Sequence, residues 1–228
     1  HRFMREMRQS ILEDRFMDFY NRKRKELVMT DQENPPAPMT PEKPYKKDKR
    51  LSLGDYEVHD SGRGFSSIRQ KSSGEVMHSV NPPQEEARNL YVLPARIDER
   101  LNELDEVVIW DVGLGAAHNS MAVIHEYLEK DFKGKIRIVS FENDTDPLKL
   151  ALRNAHFFPH LHHAAPHELL KHNKWISPKG NIEWELFHGD FAHTFQGAPK
   201  PHVIFYDPFS LHTNVELWSE EAFARIFE

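Results

Sequence analysis

The run Val107-Val-Ile-Trp-Asp-Val-Gly-Leu-Gly-Ala-Ala-His-Asn119 decides the fold. Five apolar-rich residues read as a buried parallel strand, Val107–Asp111, that ends in an acid and opens into a glycine loop. An apolar helix, Ser120 to Leu128, follows. Gly113 and Gly115 let the backbone turn tightly and let a ligand approach with no Cβ in the way. Asp111 falls at the strand's carboxyl end, where open α/β sheets bind nucleotide-like ligands. A second buried strand, Ile136–Phe141, ends in Glu142, an acid placed to hold the two hydroxyls of a ribose.

A Gly-x-Gly loop by itself also serves plain packing, so the second strand and its acid carry the argument. Two ligand classes then compete. A dinucleotide site wants a third glycine so that the helix N-terminus meets the pyrophosphate, and that position is Ala117. An acid at the end of the first strand repels a pyrophosphate but suits the ammonium group of a methionine moiety. The balance favours S-adenosylmethionine.

Working outward, Ile182–Phe187 and Val203–Tyr206 supply a third and a fourth strand. Phe187-His-Gly-Asp-Phe191 closes the third: Asp190 is a candidate for an adenine amino group, and Phe191 for covering the ring. A structural Gly-Asp turn is the plainer reading. The fourth ends in Asp207-Pro-Phe209. This resembles the Asp-Pro-Pro-Tyr/Phe loop of enzymes that methylate amino groups on bases. An amine attacking a sulfonium methyl needs its lone pair in line; an Asp oxygen holds the amine hydrogen while an aromatic stacks. A structural Asp-Pro turn is again the alternative. Helices are expected over Ser120–Lys130 and Pro147–Ala155.

Ahead of this core, Asp55–His59 and Phe65–Arg69 alternate around the turn sequence Asp60-Ser-Gly-Arg-Gly64 and predict a β-hairpin. Pro83–Leu93 and Ala95–Leu104 predict two helices split by Pro94. At the start of the chain, Phe3, Met7, Ile11, Phe16, Phe19 and Tyr20 share one side of a basic amphipathic helix about 25 residues long. Such a helix packs against the body, a second copy or a partner, or touches a nucleic-acid backbone. The segments expected are an N-terminal helix over 1–30, a Pro/Lys-rich linker over 31–50, a hairpin and helical lead-in over 51–105, and the α/β core over 106–228.

Composition narrows the class. The 228 residues suffice for one sizeable core and an appendage. With no cysteine there is no disulfide, zinc-thiolate site or cysteine nucleophile. No apolar run approaches the roughly 18 residues of a membrane span, and the basic start lacks a signal peptide's apolar stretch. The expectation is a cytoplasmic protein. Residues 1–50 carry 13 Lys/Arg against 9 Asp/Glu, and residues 51–228 carry 17 against 27. The acidic core thus offers no bulk attraction to nucleic acid, and any such partner needs a local basic patch. The histidine-rich run Ala155–His167 reads as an exposed connection broken by Pro159 and Pro166. No metal site is assigned to it, because no carboxylate stands at ligand spacing. His118 reads as a helix-start residue, and no Ser/His/Asp hydrolase elbow is present.

Taken together, these segments resemble a known family, the MnmC-like methyltransferase domains that act on tRNA wobble uridine. The likeness runs from about Tyr56 to Phe227. Asp60-Ser-Gly-Arg-Gly-Phe-Ser-Ser-Ile68 is similar to the family's Asp-Gly-Ser-x-Thr-Leu hairpin. Gly74-Glu-Val-Met-His-Ser79, followed by Glu86-Ala87, is similar to its Gly-Glu-x-Tyr/Met-His-Ser … Glu-Ala signature. Asp111 to Asn119 matches Glu-Thr-Gly-Phe-Gly-Thr-Gly-x-Asn. Asp207 to Trp218 resembles Asp-x-Phe-x-Pro-x-x-Asn-Pro-x-Leu/Met-Trp. Ala117 stands where the pattern has glycine, Ser210-Leu-His212 and Val215 stand where it has prolines, and Asn81-Pro-Pro83 replaces a more flexible stretch. The flavin oxidase half of the bifunctional form has no counterpart here.

The resemblance implies an α/β, Rossmann-like sheet and an S-adenosylmethionine-dependent N-methyltransferase. The acceptor it implies is the aminomethyl nitrogen of a tRNA wobble uridine. By position, Asp111, Gly113, Gly115, Asn119, Glu142 and Asp190 with Phe191 would bind the cofactor. Glu75 and His78 would line its pocket, and Asp207 and Phe209 would face the acceptor amine. Strands that complete such a sheet after the fourth are not in this sequence and are expected outside it. The alternatives are the same chemistry on a small amine, and a degenerate, non-catalytic relative.

Overall fold

A computed structural model describes residues 2–13, 15–23, 49–78, 80–130, 133–210 and 212–227. Two compact units divide the chain, residues 1–46 and 47–228.

In the first unit the expected long helix comes in two pieces, Arg2–Leu12 and residues 16–23. Ser10 explains the break. Its hydroxyl donates back to the Met7 carbonyl at 2.7 Å, a bond that competes with the helix. Arg15 N–H then reaches the Ser10 carbonyl, five residues back. The expected apolar stripe is split as well: Phe19 is buried, whereas Ile11, Phe16 and Tyr20 are exposed.

The second unit begins with a three-stranded antiparallel sheet. β1 (Ser52–Leu53) pairs with β2 (Tyr56–Asp60), which pairs with β3 (Ser66–Gln70). The last two are the expected hairpin, with Gly62 N–H donating to Asp60 Oδ1 in its turn. Gly54 lies against Asp146, whose Oδ2 would stand 2.5 Å from an added Cβ. The sheet therefore sits directly on the Asp146–Arg153 helix.

The lead-in helix departs from expectation at Pro94. The chain is helical from Pro83 to Ala95, through a π-turn at Arg88–Val92. Pro94 cannot donate an amide hydrogen, and its ring crowds the carbonyl four residues back. The wider turn relieves this, with Leu93 N–H reaching the Arg88 carbonyl. The break falls at Arg96 instead, in the left-handed region with φ 48° and ψ 49°. A helix over Ile97–Glu103 follows.

The core is a five-stranded sheet of order β6-β7-β5-β4-β8. β4 (Glu106–Val112), β5 (Lys135–Glu142), β7 (Ile182–His188) and β8 (Val203–Tyr206) are the four expected strands, all parallel. β6 (Lys174–Ile176) was not anticipated; it runs antiparallel beside β7. Its three residues are too few to show a period, and only Trp175 among them is buried. Successive residues of β4 feed opposite faces. Val107 and Ile109 join a large cluster with Met121, Ile124, Leu148 and Trp184. Val108, Trp110 and Val112 join a smaller aromatic one with Phe141 and Phe191. Both faces of β4 are thus dry, as a parallel strand requires.

The histidine-rich segment is corrected too. It is exposed only in part and is not free of helix: His156, Phe157, His162 and His167 are exposed, whereas Phe158, His160, Leu161 and Ala165 are buried. A helix spans Ala164–His172 with Pro166 in its first turn, where the missing amide hydrogen has no helical partner to lose. Among the described residues no helix is long and apolar enough to cross a membrane.

Candidate functional site

The chain order reverses at β4, which has β5 on one side and β8 on the other. The crevice at the carboxyl ends of such strands is where α/β sheets hold ligands. Here it opens into a cavity of about 740 Å³, within the size range of small-ligand sites.

Backbone bonds fix its floor. Gly113 N–H donates to Phe141 O at 3.1 Å, Asp207 N–H to Val112 O at 2.9 Å, and Gly189 N–H to Glu142 O at 2.9 Å. Gly113 has φ 91°, and a Cβ on it would stand 2.5 Å from the Asp207 carbonyl oxygen. Gly115 has φ 50° and faces Met77. Ala117 occupies the left-handed region, with φ 62°. The backbone there keeps the conformation that favours glycine, although the residue is alanine.

Ten of the eleven candidate residues line this one cavity. Glu75 and His78 come from the segment after β3, Gly113, Gly115 and Asn119 from the first loop and helix, and Glu142 from β5. Asp190 and Phe191 follow β7, and Asp207 and Phe209 follow β8. Asp111 is the exception. It is buried beneath the loop, its Oδ2 accepting from the Ser120 and Ser140 hydroxyls, and it does not line the cavity. Burial pushes its carboxyl up to about 7, against those two hydrogen bonds and helped by the charges of Asp207 and Glu142. Its Oδ1 has no partner among the described residues.

Glu142 is already engaged. Oε2 accepts from Gly115 N–H at 3.0 Å, and Oε1 from Asn143 and Asp144 N–H at 2.9 and 3.0 Å. A carboxylate has about four lone-pair directions, so one is left for a ligand. Burial raises its pKa, and the three amides oppose that. Glu75 ties down the segment after Asp207. It accepts from Ser210 N–H at 2.9 Å, from the Ser210 hydroxyl at 3.0 Å and from the Thr213 hydroxyl at 2.6 Å. Burial works against ionisation, yet these bonds outweigh it and hold Glu75 below the usual carboxylate range.

Asp207 Oδ2 accepts from Asn119 Nδ2 at 2.9 Å. Burial raises its pKa, against the hydrogen bonds from Asn119 and Tyr91. Asn119 Oδ1 is buried and has no partner among the described residues. Asp190 caps the short helix Phe191–Thr194, accepting from Ala192 N–H at 2.9 Å. Phe191 packs edge-on to Trp110 and Phe141.

Several cavity residues carried no sequence signal as site residues: Tyr56 and Gln70 on the hairpin, and Asp144 after β5. His118 starts the His118–Lys130 helix, as expected, and is buried and stacked on His160 with ring centroids 3.9 Å apart. His78 meets its edge at 4.8 Å. His160 Nε2 lies 2.9 Å from the Ala116 carbonyl and therefore carries the proton. Burial holds His118 well below its ordinary pKa and lowers His160 to about 4. The pair is neutral and supports the glycine loop from beneath. Among the described residues no group of three or more His, Asp or Glu is placed to hold a metal ion.

A dry sheet, a glycine loop at its reversal point and acids at the ends of successive strands define a Rossmann-like methyltransferase fold. The crystal structure of MNMC2 from Aquifex aeolicus is similar. It superposes with a TM-score of 0.55 over 74% of this chain, at 23% sequence identity. The match covers 54% of that chain, so the present sequence corresponds to about half of it. No protein-family model and no curated protein matches.

Proposed function

We propose that the protein is an S-adenosylmethionine-dependent N-methyltransferase of the MnmC-like kind, with the aminomethyl group of a tRNA wobble uridine as its acceptor. The observation that carries this reading is the contact of Gly113 with Asp207. It brings the glycine loop and Asp207 into one cavity, which supports reading the loop as the cofactor's and the carboxylate as the amine's.

The residues present fit the cofactor. The glycine loop leaves room for a nucleoside, Glu142 keeps one lone pair for a ribose hydroxyl, and Asn119 Oδ1, on the cavity wall, is an acceptor without a partner among the described residues. S-adenosylmethionine supplies an electrophilic methyl group on a sulfonium, and the electrons of the broken C–S bond stay on sulfur. Asp207, ionised, accepts a hydrogen from the neutral amine and points its lone pair along the line of attack. The new C–N bond leaves the nitrogen with one proton too many, which Asp207 takes and passes to solvent. Phe209 offers a face for the acceptor's ring. The basic segment 1–50 would supply the attraction to a polyanion that the acidic core lacks.

A second reading has its own support. The cavity lining includes Glu75, Glu142, Asp144, Asp190, Asp207 and Glu216, and among the described residues no Lys or Arg. That suits a small cationic amine better than a phosphate backbone.

Calorimetric titration with S-adenosylmethionine, followed by methyl transfer to tRNA carrying 5-aminomethyl uridine and to a panel of small amines, tests both. Asp207→Asn should lower transfer by about 100-fold or more and leave the cofactor Kd within about threefold. Equal loss of binding and transfer would sink the role given to Asp207. Absence of cofactor binding would sink the reading altogether.

A further inference from the structure

One ring on the cavity wall has a carboxylate behind it. His78 lines the cavity, and its backbone N–H donates to the buried Ser67 hydroxyl of β3 at 3.0 Å. The ring is held as well. Its Nδ1 lies 3.3 Å from Oε1 of Glu86, in the first turn of the lead-in helix. Glu86 itself does not line the cavity. An ionised carboxylate only accepts, so Nδ1 carries the hydrogen and Nε2 is left as the basic nitrogen. Nε2 makes no hydrogen bond to any described residue. The ring also meets His118 edge-on at 4.8 Å, and the next residue, Asn119, binds Asp207. The start of the His118–Lys130 helix therefore touches His78 with one residue and Asp207 with the next. The titratable groups around His78 are Glu86 from the lead-in helix, His118 with His160 behind it, and Asp207 after β8.

Amine methylation leaves such a base a task. An acidic cavity draws its acceptor in as an ammonium ion, and an alkyl ammonium of the lysine kind holds its proton up to about pH 10. That nitrogen has no lone pair. Attack on a methyl group needs one, so a proton must leave before transfer and a second after it. Asp207 holds one proton at a time. We propose that His78 is the base for the first. Its Nε2 takes a proton from the bound ammonium, directly or through one water, and the freed lone pair attacks the methyl group. The C–S bond of the sulfonium breaks with its electrons left on sulfur, the second proton goes to Asp207, and both protons end in solvent. Glu86 is a positioning residue. It fixes the ring and its tautomer and stabilises the imidazolium, as the third group of a catalytic set does. It acts through His78 and does not touch the acceptor. The catalytic meaning rests on the N-methyltransferase reading.

His78→Ala, assayed with whichever acceptor the wild type methylates, should lower kcat by about 100-fold or more and leave the cofactor Kd within about threefold. Added imidazole should restore transfer in proportion to its concentration. The defect should also shrink as pH rises toward about 10, where the acceptor loses its proton unaided. Wild-type kcat overturns the inference, and so does a defect that is uniform across pH and unmoved by imidazole. A cofactor Kd that weakens in step with kcat overturns it too, since His78 would then be a wall of the cofactor site. A second measurement needs no turnover. Nitrogen-15 NMR of the neutral His78 ring, assigned with His78→Ala, should place the hydrogen on Nδ1 in the wild type and move it toward Nε2 in Glu86→Ala. Hydrogen on Nε2 in the wild type, or a tautomer indifferent to Glu86, overturns the inference. If the tautomer follows Glu86 while the wild type transfers no methyl group, the N-methyltransferase reading fails and the Glu86–His78 pair stands.

Discussion

Gly113 and Asp207 meet backbone to backbone, at a distance that leaves no room for even one methyl group. The loop after β4 and the loop after β8 are thereby held as one surface. Gly113→Ala would put a side chain on a residue with φ 91° and 2.5 Å from a carbonyl oxygen. The left-handed backbone costs about 1–2 kcal/mol and the clash a further 1–3 kcal/mol or so. The expected loss is about 2–5 kcal/mol in urea melts, together with loss of cofactor binding. Gly62→Ala is the control. Its φ is 66°, but nothing lies within 4 Å, so only the backbone term of about 1–2 kcal/mol applies.

Ala117→Gly should behave unlike alanine-to-glycine changes inside helices. Glycine relieves a left-handed alanine, worth about 1–2 kcal/mol. It also gives up a buried methyl, about 0.8 kcal/mol, and gains freedom in the unfolded chain, about 0.4–1 kcal/mol. These terms nearly cancel, and thermal melts should place the variant within about 1 kcal/mol of wild type. A loss above about 2 kcal/mol would mean that the alanine methyl packs in a way the backbone argument misses.

Glu75→Gln removes the charge that gathers three donors from Ser210 and Thr213. A cost of about 1–3 kcal/mol is expected, with weaker methyl transfer because the segment after Asp207 is loosened. The sign with pH follows from the lowered pKa. The stabilisation is present above the unfolded value near 4.5 and is lost as pH falls through the lower folded one. Chemical denaturation at pH 7 and at pH 3.5 should therefore show a smaller difference between variant and wild type at the lower pH.

His160 runs in a neighbouring window. Its pKa drops from 6.5 to about 4 on folding, so the unfolded chain takes the proton first as pH falls. Stability from this group is complete above about pH 6.5 and declines toward pH 4, by about 3 kcal/mol in all. Asp111 opposes it: pushed up from 3.8 to about 7, it weakens the fold as pH rises across that span. The two slopes partly cancel in the wild type. His160→Gln, whose amide can still donate to the Ala116 carbonyl, removes one of them. The gap between variant and wild type should widen from pH 4 to pH 6.5, and parallel curves would contradict the assignment.

The sheet was legible because parallel strands buried on both faces write themselves as apolar runs; Val203–Tyr206 agrees to the residue. What escaped had no period to read. β6 is three residues long, and the π-turn arises from Pro94 acting on carbonyls upstream, which reads locally as a helix stop. Histidine gave the clearest failure. His118 starts its helix as expected, but the segment of His160 was expected in solvent, and stacking on His118 with one carbonyl bond lets His160 be buried neutral. Asp111 was correctly placed at the end of its strand. That it turns under the loop, toward Ser120 and Ser140, depends on a strand and a helix meeting in space.

The cavity is closed by partners far apart along the chain. Glu75 reaches Ser210 across 135 positions, and Asn119 reaches Asp207 across 88. Ligand binding therefore works as a clock for the end of folding. β4, β5 and β7 can pair while the hairpin segment is still adrift, and such a chain would show native-like circular dichroism yet be blind to ligand. The lag between the two signals in a refolding experiment measures how late the hairpin arrives.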